Sequence, residues 1–106
     1  MTIDPAADHV RLKDMGNDAY KKGEYDLALD AYTRALDTSK EDKIRDEELA
    51  ILYKNRAQVL LKNEDFQSAV ADCTKCLELV RYLYTLVKWQ NMYVSYRVVH
   101  HVSDLG

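Results

Sequence analysis

Seven apolar or aromatic residues in the first half of this 106-residue chain recur in the second half after one constant interval of 41 residues. The first set comprises Leu12, Ala19, Tyr25, Ala28, Tyr32, Ala35 and Leu36. The second set comprises Tyr53, Leu60, Phe66, Ala69, Cys73, Cys76 and Leu77. Because a repeated set of core positions requires a repeated structural unit, this interval predicts two stacked copies of one motif.

Both copies have the residue spacing of a helical hairpin. The first copy contains Leu12-x2-Met15-Gly16 and Ala28-x3-Tyr32. The second contains Tyr53-x2-Arg56-Ala57 and Ala69-x3-Cys73. This pattern resembles the tetratricopeptide repeat (TPR), a helix-turn-helix of about 34 residues, lengthened here by about two helical turns. We therefore predict an all-α fold with two repeats at about 5–38 and 40–79, with an unrelated four-helix bundle as the alternative.

Local signals divide these repeats into four helices. Asp4 is placed to cap the first helix, and Gly23 to end it. The second helix is predicted to end near residue 38, and Ser39 begins a capping-box-like pattern that predicts a long third helix. Asn63 is expected to end the third helix, and Asp65 to cap the fourth.

Residues 80–106 form a tail of different character. Five of the ten aromatic residues lie between positions 82 and 96, and no acidic residue lies between Glu78 and Asp104. A third repeat is expected to begin near Tyr84, yet the repeat signature is absent there. The tail fits an extension of the fourth helix or a helical cap on the second repeat, while the alternation of residues 94–99 also fits a strand. An altered C-terminus, produced by splicing or truncation, remains an equal alternative.

The net charge of −3 gives the chain no overall electrostatic attraction for nucleic acid. Two cysteines do not make a disulfide framework, and charged residues interrupt every apolar stretch of the tail. We therefore expect a cytoplasmic protein that binds neither nucleic acid nor a membrane.

The strongest functional signal is a group of polar residues on the first and third helices. Lys13 and Asn17 are four residues apart and share one face of a helix, and Asn55 holds a comparable inward position. An ammonium group and two side-chain amides can together grip a terminal carboxylate through charge and directional hydrogen bonds. The alternative is ordinary polarity on a helix surface.

A family resemblance favours the first interpretation. Residues 12–21 (Leu-Lys-Asp-Met-Gly-Asn-Asp-Ala-Tyr-Lys) and 52–57 (Leu-Tyr-Lys-Asn-Arg-Ala) resemble the carboxylate-clamp TPR domains of heat-shock co-chaperones. Residues 51–57 and 71–77 are most similar to the Unc-45 group, the UCS-domain chaperones of myosin. The resemblance, over about residues 8–79, implies binding to the acidic C-terminal tail of a ninety- or seventy-kilodalton heat-shock protein, with a link to the myosin pathway. It also implies that Lys13, Asn17 and Asn55 are clamp residues and that Tyr20 lines an adjacent apolar pocket.

The chain departs from the family at the remainder of the clamp. The family supplies a lysine and an arginine from a third repeat, where register places Thr85 and Trp89 in this chain. Losing two charge-assisted contacts of about 1.5–3 kcal/mol each costs about 10²–10⁴ in affinity. We therefore expect a partial clamp. The alternative is a truncated or vestigial TPR scaffold whose tail blocks the groove or drives dimerisation, without chaperone binding.

We predict no catalytic machinery, no metal and no cofactor. Cys73 and Cys76 form a C-x-x-C pair, but register places both on the core-facing side of a helix, late along it, where the helix dipole disfavours a thiolate. His100 and His101 are adjacent and lack the usual spacing of zinc ligands. A structural role for both cysteines is expected.

Overall fold

The structure is a computed structural model that describes residues 5–41 and 44–105. For residues 5–7, 41, 94, 95 and 98–105 it describes the backbone only. It contains four helices: α1 (Pro5–Lys21), α2 (Tyr25–Glu41), α3 (Asp46–Lys62) and α4 (Phe66–Leu105). The described residues contain no strand, so the predicted all-α fold is confirmed. Helix α2 packs against α1 and α3, and α4 packs against α3.

The turn after α1 recurs 41 residues later, after α3. Gly23 and Glu64 occupy equivalent places and both have a positive φ, 77° and 60° respectively. The N–H groups of Glu24 and Asp65 each donate to the carbonyl five residues earlier, at 2.9 Å. A positive φ lets the chain reverse while the last carbonyls of the helix are satisfied. The predicted helix ends at Gly23 and Asn63 are thus confirmed, Asn63 being the C-cap of α3.

The predicted starts of the helices have different outcomes. Asp65 accepts a hydrogen bond from the N–H three residues later, at 3.3 Å, and so caps α4 as predicted. The predicted start of α3 at Ser39 is wrong: Ser39 lies inside α2, where its hydroxyl donates to the carbonyl of Leu36. Helix α3 begins at Asp46, after Arg45 in an extended conformation, and the Ser39 hydroxyl is engaged within α2. Asp4 lies outside the described residues.

The core lies between α1, α2 and α3, and its closest approach joins the Tyr32 ring to the backbone of α1. Its buried members are Leu12, Ala19, Ala28, Tyr32, Ala35, Leu36, Leu52 and Val59. A Cβ atom added to Gly16 would lie 2.6 Å from Cε1 of Tyr32. Carbon atoms normally approach to about 3.5 Å. The ring therefore occupies space that exists only because residue 16 has no side chain.

In the second repeat an ion pair stands where the first has an apolar residue. Arg56 occupies the place of Met15, and its Nε and Nη2 donate to the two carboxylate oxygens of Asp72 at 2.7 and 2.8 Å. Asp72 is only 5% exposed. The guanidinium also lies 5.8 Å from the centroid of the Tyr53 ring. The hydrogen bond with Asp72 raises the pKa of Arg56, so the guanidinium that joins α3 to α4 stays charged.

Helix α4 extends far beyond the helix it packs on. It has 40 residues, whereas α3 has 17. Leu79 and Leu83 are still partly buried, but Tyr84, Trp89 and Tyr93 expose 67%, 65% and 63% of their surface. The tail is therefore the extended form of the fourth helix, not a strand. No helix among the described residues is both long and apolar enough to cross a membrane.

The prediction that both cysteines face the core is wrong. Cys73 is exposed and Cys76 is only partly buried. Cys73 is the repeat equivalent of Tyr32, which is buried within the α1–α2–α3 core. In the described part of the chain no further helix packs against α4. No third repeat begins near Tyr84, in agreement with the absence of its signature there, because Tyr84 lies within α4.

We expect Asp72→Ala to lower the free energy of unfolding by about 2–4 kcal/mol, because it leaves a largely buried guanidinium without its carboxylate. Urea unfolding followed by circular dichroism measures the change. Asp30→Ala is the matched control, since Asp30 forms a longer, exposed pair with Arg34 at 3.9 Å; it should cost less than about 0.5 kcal/mol. Equal losses for the two variants would contradict this account.

We expect Gly16→Ala to destabilise the protein by about 1–3 kcal/mol, because the added methyl group overlaps the Tyr32 ring. Helix propensity alone predicts a gain of about 1 kcal/mol from the same change, so the sign of the measured change shows whether steric overlap or helix propensity is the larger effect. Thermal unfolding measures it, with Asp14→Ala, an exposed position on α1, as the control. A more stable Gly16→Ala protein would show that the ring can move away.

Candidate functional site

The candidate site is formed by polar side chains of α1 and α3. Nδ2 of Asn55 donates a hydrogen bond to Oδ1 of Asn17 at 3.3 Å. The two residues are 38 positions apart in sequence, and the fold brings them together because α2 holds α1 and α3 side by side. The contact joins two of the residues that the sequence singled out.

A second contact links the same two helices nearer their starts. Nε2 of His9 lies 3.0 Å from Oε2 of Glu48, and His9 is only 5% exposed. Its other ring nitrogen, Nδ1, is buried and has no hydrogen-bond partner among the described residues. Because the contacts pair residue 9 with 48 and 17 with 55, α1 and α3 run in the same direction. Sequence reasoning missed His9, whose only signal was its position one turn before Leu12 on an apolar face.

Lys13 lies one helical turn before Asn17 on α1. It is partly buried, and within the described residues it forms no ion pair and no hydrogen bond. The structure thus gives no direct contact from Lys13 to Asn17 or to Asn55. Side chains four residues apart on a helix are neighbours on its surface, so the Lys13 side chain is a neighbour of Asn17 along α1.

The oxygen of the Asn17 side chain accepts two hydrogen bonds. The hydroxyl of Tyr32 donates to it, as does the amide of Asn55. The amide nitrogen of Asn17 has no partner among the described residues and is not a buried atom. The Asn17 amide therefore offers its N–H donors to solvent, or to a bound group. Such an arrangement of amide donors beside an ammonium group suits an anion.

Sequence reasoning identified Tyr32 as a core residue but missed its hydroxyl. Tyr32 is 2% exposed. Burial, and to a lesser extent the nearby Tyr20, raises the pKa of Tyr32 to about 12. The only signal in the sequence was the choice of tyrosine over phenylalanine at the aromatic position of the repeat.

Tyr20 lies at the edge of the core. It is partly buried, and its ring packs against that of Tyr25, with the centroids 5.5 Å apart and the planes at 57°. It follows Asn17 by three residues, so both occupy one side of α1.

The positions that the register assigned to the missing third-repeat cations lie far along α4. Thr85 and Trp89 are exposed, and the Thr85 hydroxyl donates to the carbonyl of Arg81. In the described part of the chain, no residue of α4 comes within packing distance of α1. These two positions are therefore not next to Asn17.

The described residues contain no group of three or more histidine, cysteine or acidic side chains that could hold a metal ion. Cys73 and Cys76 remain free thiols. The side chains of His100 and His101 lie outside the described residues.

Comparisons with known proteins agree with the repeat architecture. The chain is 41% identical over 80 residues to protein unc-45 homolog B of Danio rerio, covering 74% of this chain and 8% of that protein. It is 43% identical over 67 residues to stress-induced-phosphoprotein 1 of Caenorhabditis elegans, covering 63% and 19% respectively. It is also 37% identical over 67 residues to tetratricopeptide repeat protein 12 of Homo sapiens, covering 63% and 8%.

The chain thus spans less than a fifth of the length of each of these relatives. No family model matches the sequence, and no solved structure matches it. The resemblance that the sequence motifs indicated is nevertheless confirmed by the relatives. We conclude that the chain belongs to the tetratricopeptide-repeat proteins and that its repeats are similar to those of the Unc-45 group.

Proposed function

We propose that this protein is a co-chaperone-type adaptor that binds the acidic C-terminal peptide of a ninety- or seventy-kilodalton heat-shock protein. Lys13, Asn17 and Asn55 form the partial carboxylate clamp, and the protein acts by binding, without catalysis, in the cytoplasm. The observation that carries the proposal is the Asn55–Asn17 hydrogen bond of 3.3 Å, which leaves the Asn17 amide nitrogen unpaired beside Lys13.

The chemistry of the ligand follows from these three side chains. A terminal carboxylate accepts hydrogen bonds through both oxygens and donates none. The free amide N–H groups of Asn17 and the ammonium group of Lys13 are donors, and the ammonium also supplies a positive charge. A peptide that ends in an aspartate places two carboxylates near this group of donors. The proposed ligand is therefore acidic at its end, not merely along its length.

Tyr20 supplies the apolar side of the proposed site. Its ring is held by Tyr25 at the edge of the core, three residues after Asn17. An aliphatic side chain that precedes the terminal residue of the peptide would pack against such a ring. A valine in that place suits the pocket that the family resemblance implies.

The proposed clamp is weaker than a complete one. Two further cations are expected in the family, and the positions that the register assigns to them lie along α4, away from α1. We therefore expect an affinity about 10²–10⁴ below that of a complete site. A role in the myosin pathway, which the resemblance to the Unc-45 group implies, belongs to the same proposal.

We expect a peptide ending in Glu-Glu-Val-Asp to bind with measurable heat in isothermal titration. Asn17→Ala removes the free amide donors and should weaken binding by about 10- to 100-fold, as expected for hydrogen bonds to a charged group. Asn91→Ala is the matched control, because Asn91 is an exposed asparagine on α4; its affinity should equal that of the unmodified protein. Absence of heat at millimolar peptide would remove the proposal.

The exposed tail favours a second candidate, a TPR scaffold that associates with a second copy of itself through α4. Leu79 and Leu83 are partly buried, and by helical spacing the same face of α4 continues as Leu86 and Tyr93, which are 47% and 63% exposed. Continuity of one apolar face beyond its intramolecular partner favours a further helix as its cover. A tail that blocks the clamp is not supported, since the described part of α4 does not approach α1.

The strength of such a dimer depends on how much exposed apolar surface of the tail a second copy can bury. The five aromatic side chains of residues 82–96 are 55–67% exposed. Tyr84 lies on the opposite side of the helix from the other four. If those four each offer roughly 100 Å², burying them in both copies removes roughly 800 Å², below the about 1,200 Å² typical of stable interfaces. The dimer would therefore be weak and dependent on concentration.

We expect light scattering to show a mass that rises with protein concentration if this second candidate holds. Leu86→Asp places a charge on the continued apolar face and should keep the protein monomeric. Asn91→Asp places the same charge on an exposed position on the opposite side of α4 from Tyr82 and Tyr93 and should leave the association unchanged. A monomeric mass at every concentration, up to the millimolar range, would exclude dimerisation through the tail.

A further inference from the structure

The hydroxyl of Tyr32 is a polar group of the core that reaches the candidate site. The ring is buried between the helices, with 2% of its surface exposed, and its O–H donates to Oδ1 of Asn17. Asn17 follows Gly16 directly, and Gly16 is the residue that makes room for the ring. Because α2 approaches α1 closely, the Tyr32 hydroxyl lies within hydrogen-bonding distance of Asn17, the residue proposed to contact the ligand.

An asparagine amide has two nearly isosteric ends, one an acceptor and one a donor. Which end faces a ligand is decided by the groups that bind the other end. At Asn17 the two internal partners, Tyr32 and Asn55, are both donors, so they select the oxygen. The nitrogen, which is not a buried atom and has no partner among the described residues, is then left for a ligand.

The Tyr32 hydroxyl is suited to this task at neutral pH. Desolvation raises its pKa to about 12, so it remains protonated and able to donate. The contact from Asn55 is longer, at 3.3 Å. Of the two partners, Tyr32 is also the more deeply buried, so its position is fixed more firmly by the core.

We propose that Tyr32 is a positioning residue for ligand recognition, which fixes the Asn17 amide with its donors outward and thereby makes the site selective for a free carboxylate over a carboxamide. This inference rests on the proposed carboxylate-binding role of Asn17. A carboxylate accepts hydrogen bonds through both of its oxygens, whereas a carboxamide has one accepting oxygen and an NH₂ group that cannot accept from the remaining donors of the site. The selectivity of the site thus depends on a core hydroxyl that does not touch the ligand.

The hydrogen bond can be removed without changing the packing. Tyr32→Phe keeps the ring against Gly16 and deletes only the donor, so the orientation of the Asn17 amide then depends on the longer contact from Asn55 alone. Tyr53→Phe is the matched control: its ring also packs against the core, and its hydroxyl has no hydrogen-bond partner among the described residues. The probes are two peptides ending in Glu-Glu-Val-Asp, one with a free terminal carboxylate and one with a terminal amide.

The quantity to measure is the ratio of the two dissociation constants by isothermal titration. We expect Tyr32→Phe to lower the preference for the free carboxylate by about three- to tenfold, chiefly by weakening binding of the free acid, while Tyr53→Phe keeps the preference of the unmodified protein. A loss of stability in Tyr32→Phe would not obscure the result, because both peptides bind the same folded fraction and the ratio is independent of it.

The outcomes separate the two proposals. If the unmodified protein fails to bind the free-acid peptide, the carboxylate-binding function fails, and the positioning role fails with it. If the unmodified protein binds and Tyr32→Phe retains the same preference, the function stands and the positioning role is overturned. A reduced preference in Tyr32→Phe alone supports it.

Discussion

The contact between the Tyr32 ring and the backbone of Gly16 determines how closely α1 and α2 approach. A Cβ atom at position 16 would lie 2.6 Å from the ring, so the approach is possible only with glycine. The same contact fixes where the Tyr32 hydroxyl lies, because a rigid aromatic side chain has few alternative positions in a close-packed core. The Gly16–Tyr32 contact therefore affects both the stability of the first hairpin and the position of the Tyr32 hydroxyl.

In the second repeat, different residues hold the two helices of the hairpin together. Ala57 replaces Gly16, Cys73 replaces Tyr32, and Arg56 replaces Met15. With a smaller residue at position 73, α4 is joined to α3 through the bidentate contact between Arg56 and Asp72. This pair gives geometric specificity at the cost of desolvating two charges. The two hairpins thus share a backbone plan but differ in what holds them together.

The exposed length of α4 is the other consequence of having two repeats. In a stack of hairpins the outer face of each second helix is covered by the next repeat. Helix α2 has such a cover in α3, whereas α4 has none among the described residues. Residues such as Cys73 and Leu77, whose counterparts in the first repeat are buried, are therefore exposed. Apolar residues on this surface do not form a core, because no helix of the described residues packs over them.

The sequence by itself determined the fold class, the period of the repeat and the turns at Gly23 and Asn63, since these depend on local backbone preferences and on spacing along the chain. It also singled out Asn17 and Asn55, which the fold then joins by a hydrogen bond. It did not determine where α3 begins, because Ser39 can satisfy a carbonyl of α2 as readily as it can cap a new helix.

Only the tertiary structure decided which groups meet between helices. The His9–Glu48 contact, the Arg56–Asp72 pair and the direction of the Asn17 amide each join residues from different helices. The spacing of residues along one helix specifies which face a side chain occupies, but not what stands opposite that face. The exposure of the tail has the same origin, because burial depends on a neighbouring element and not on the apolar character of the residue itself.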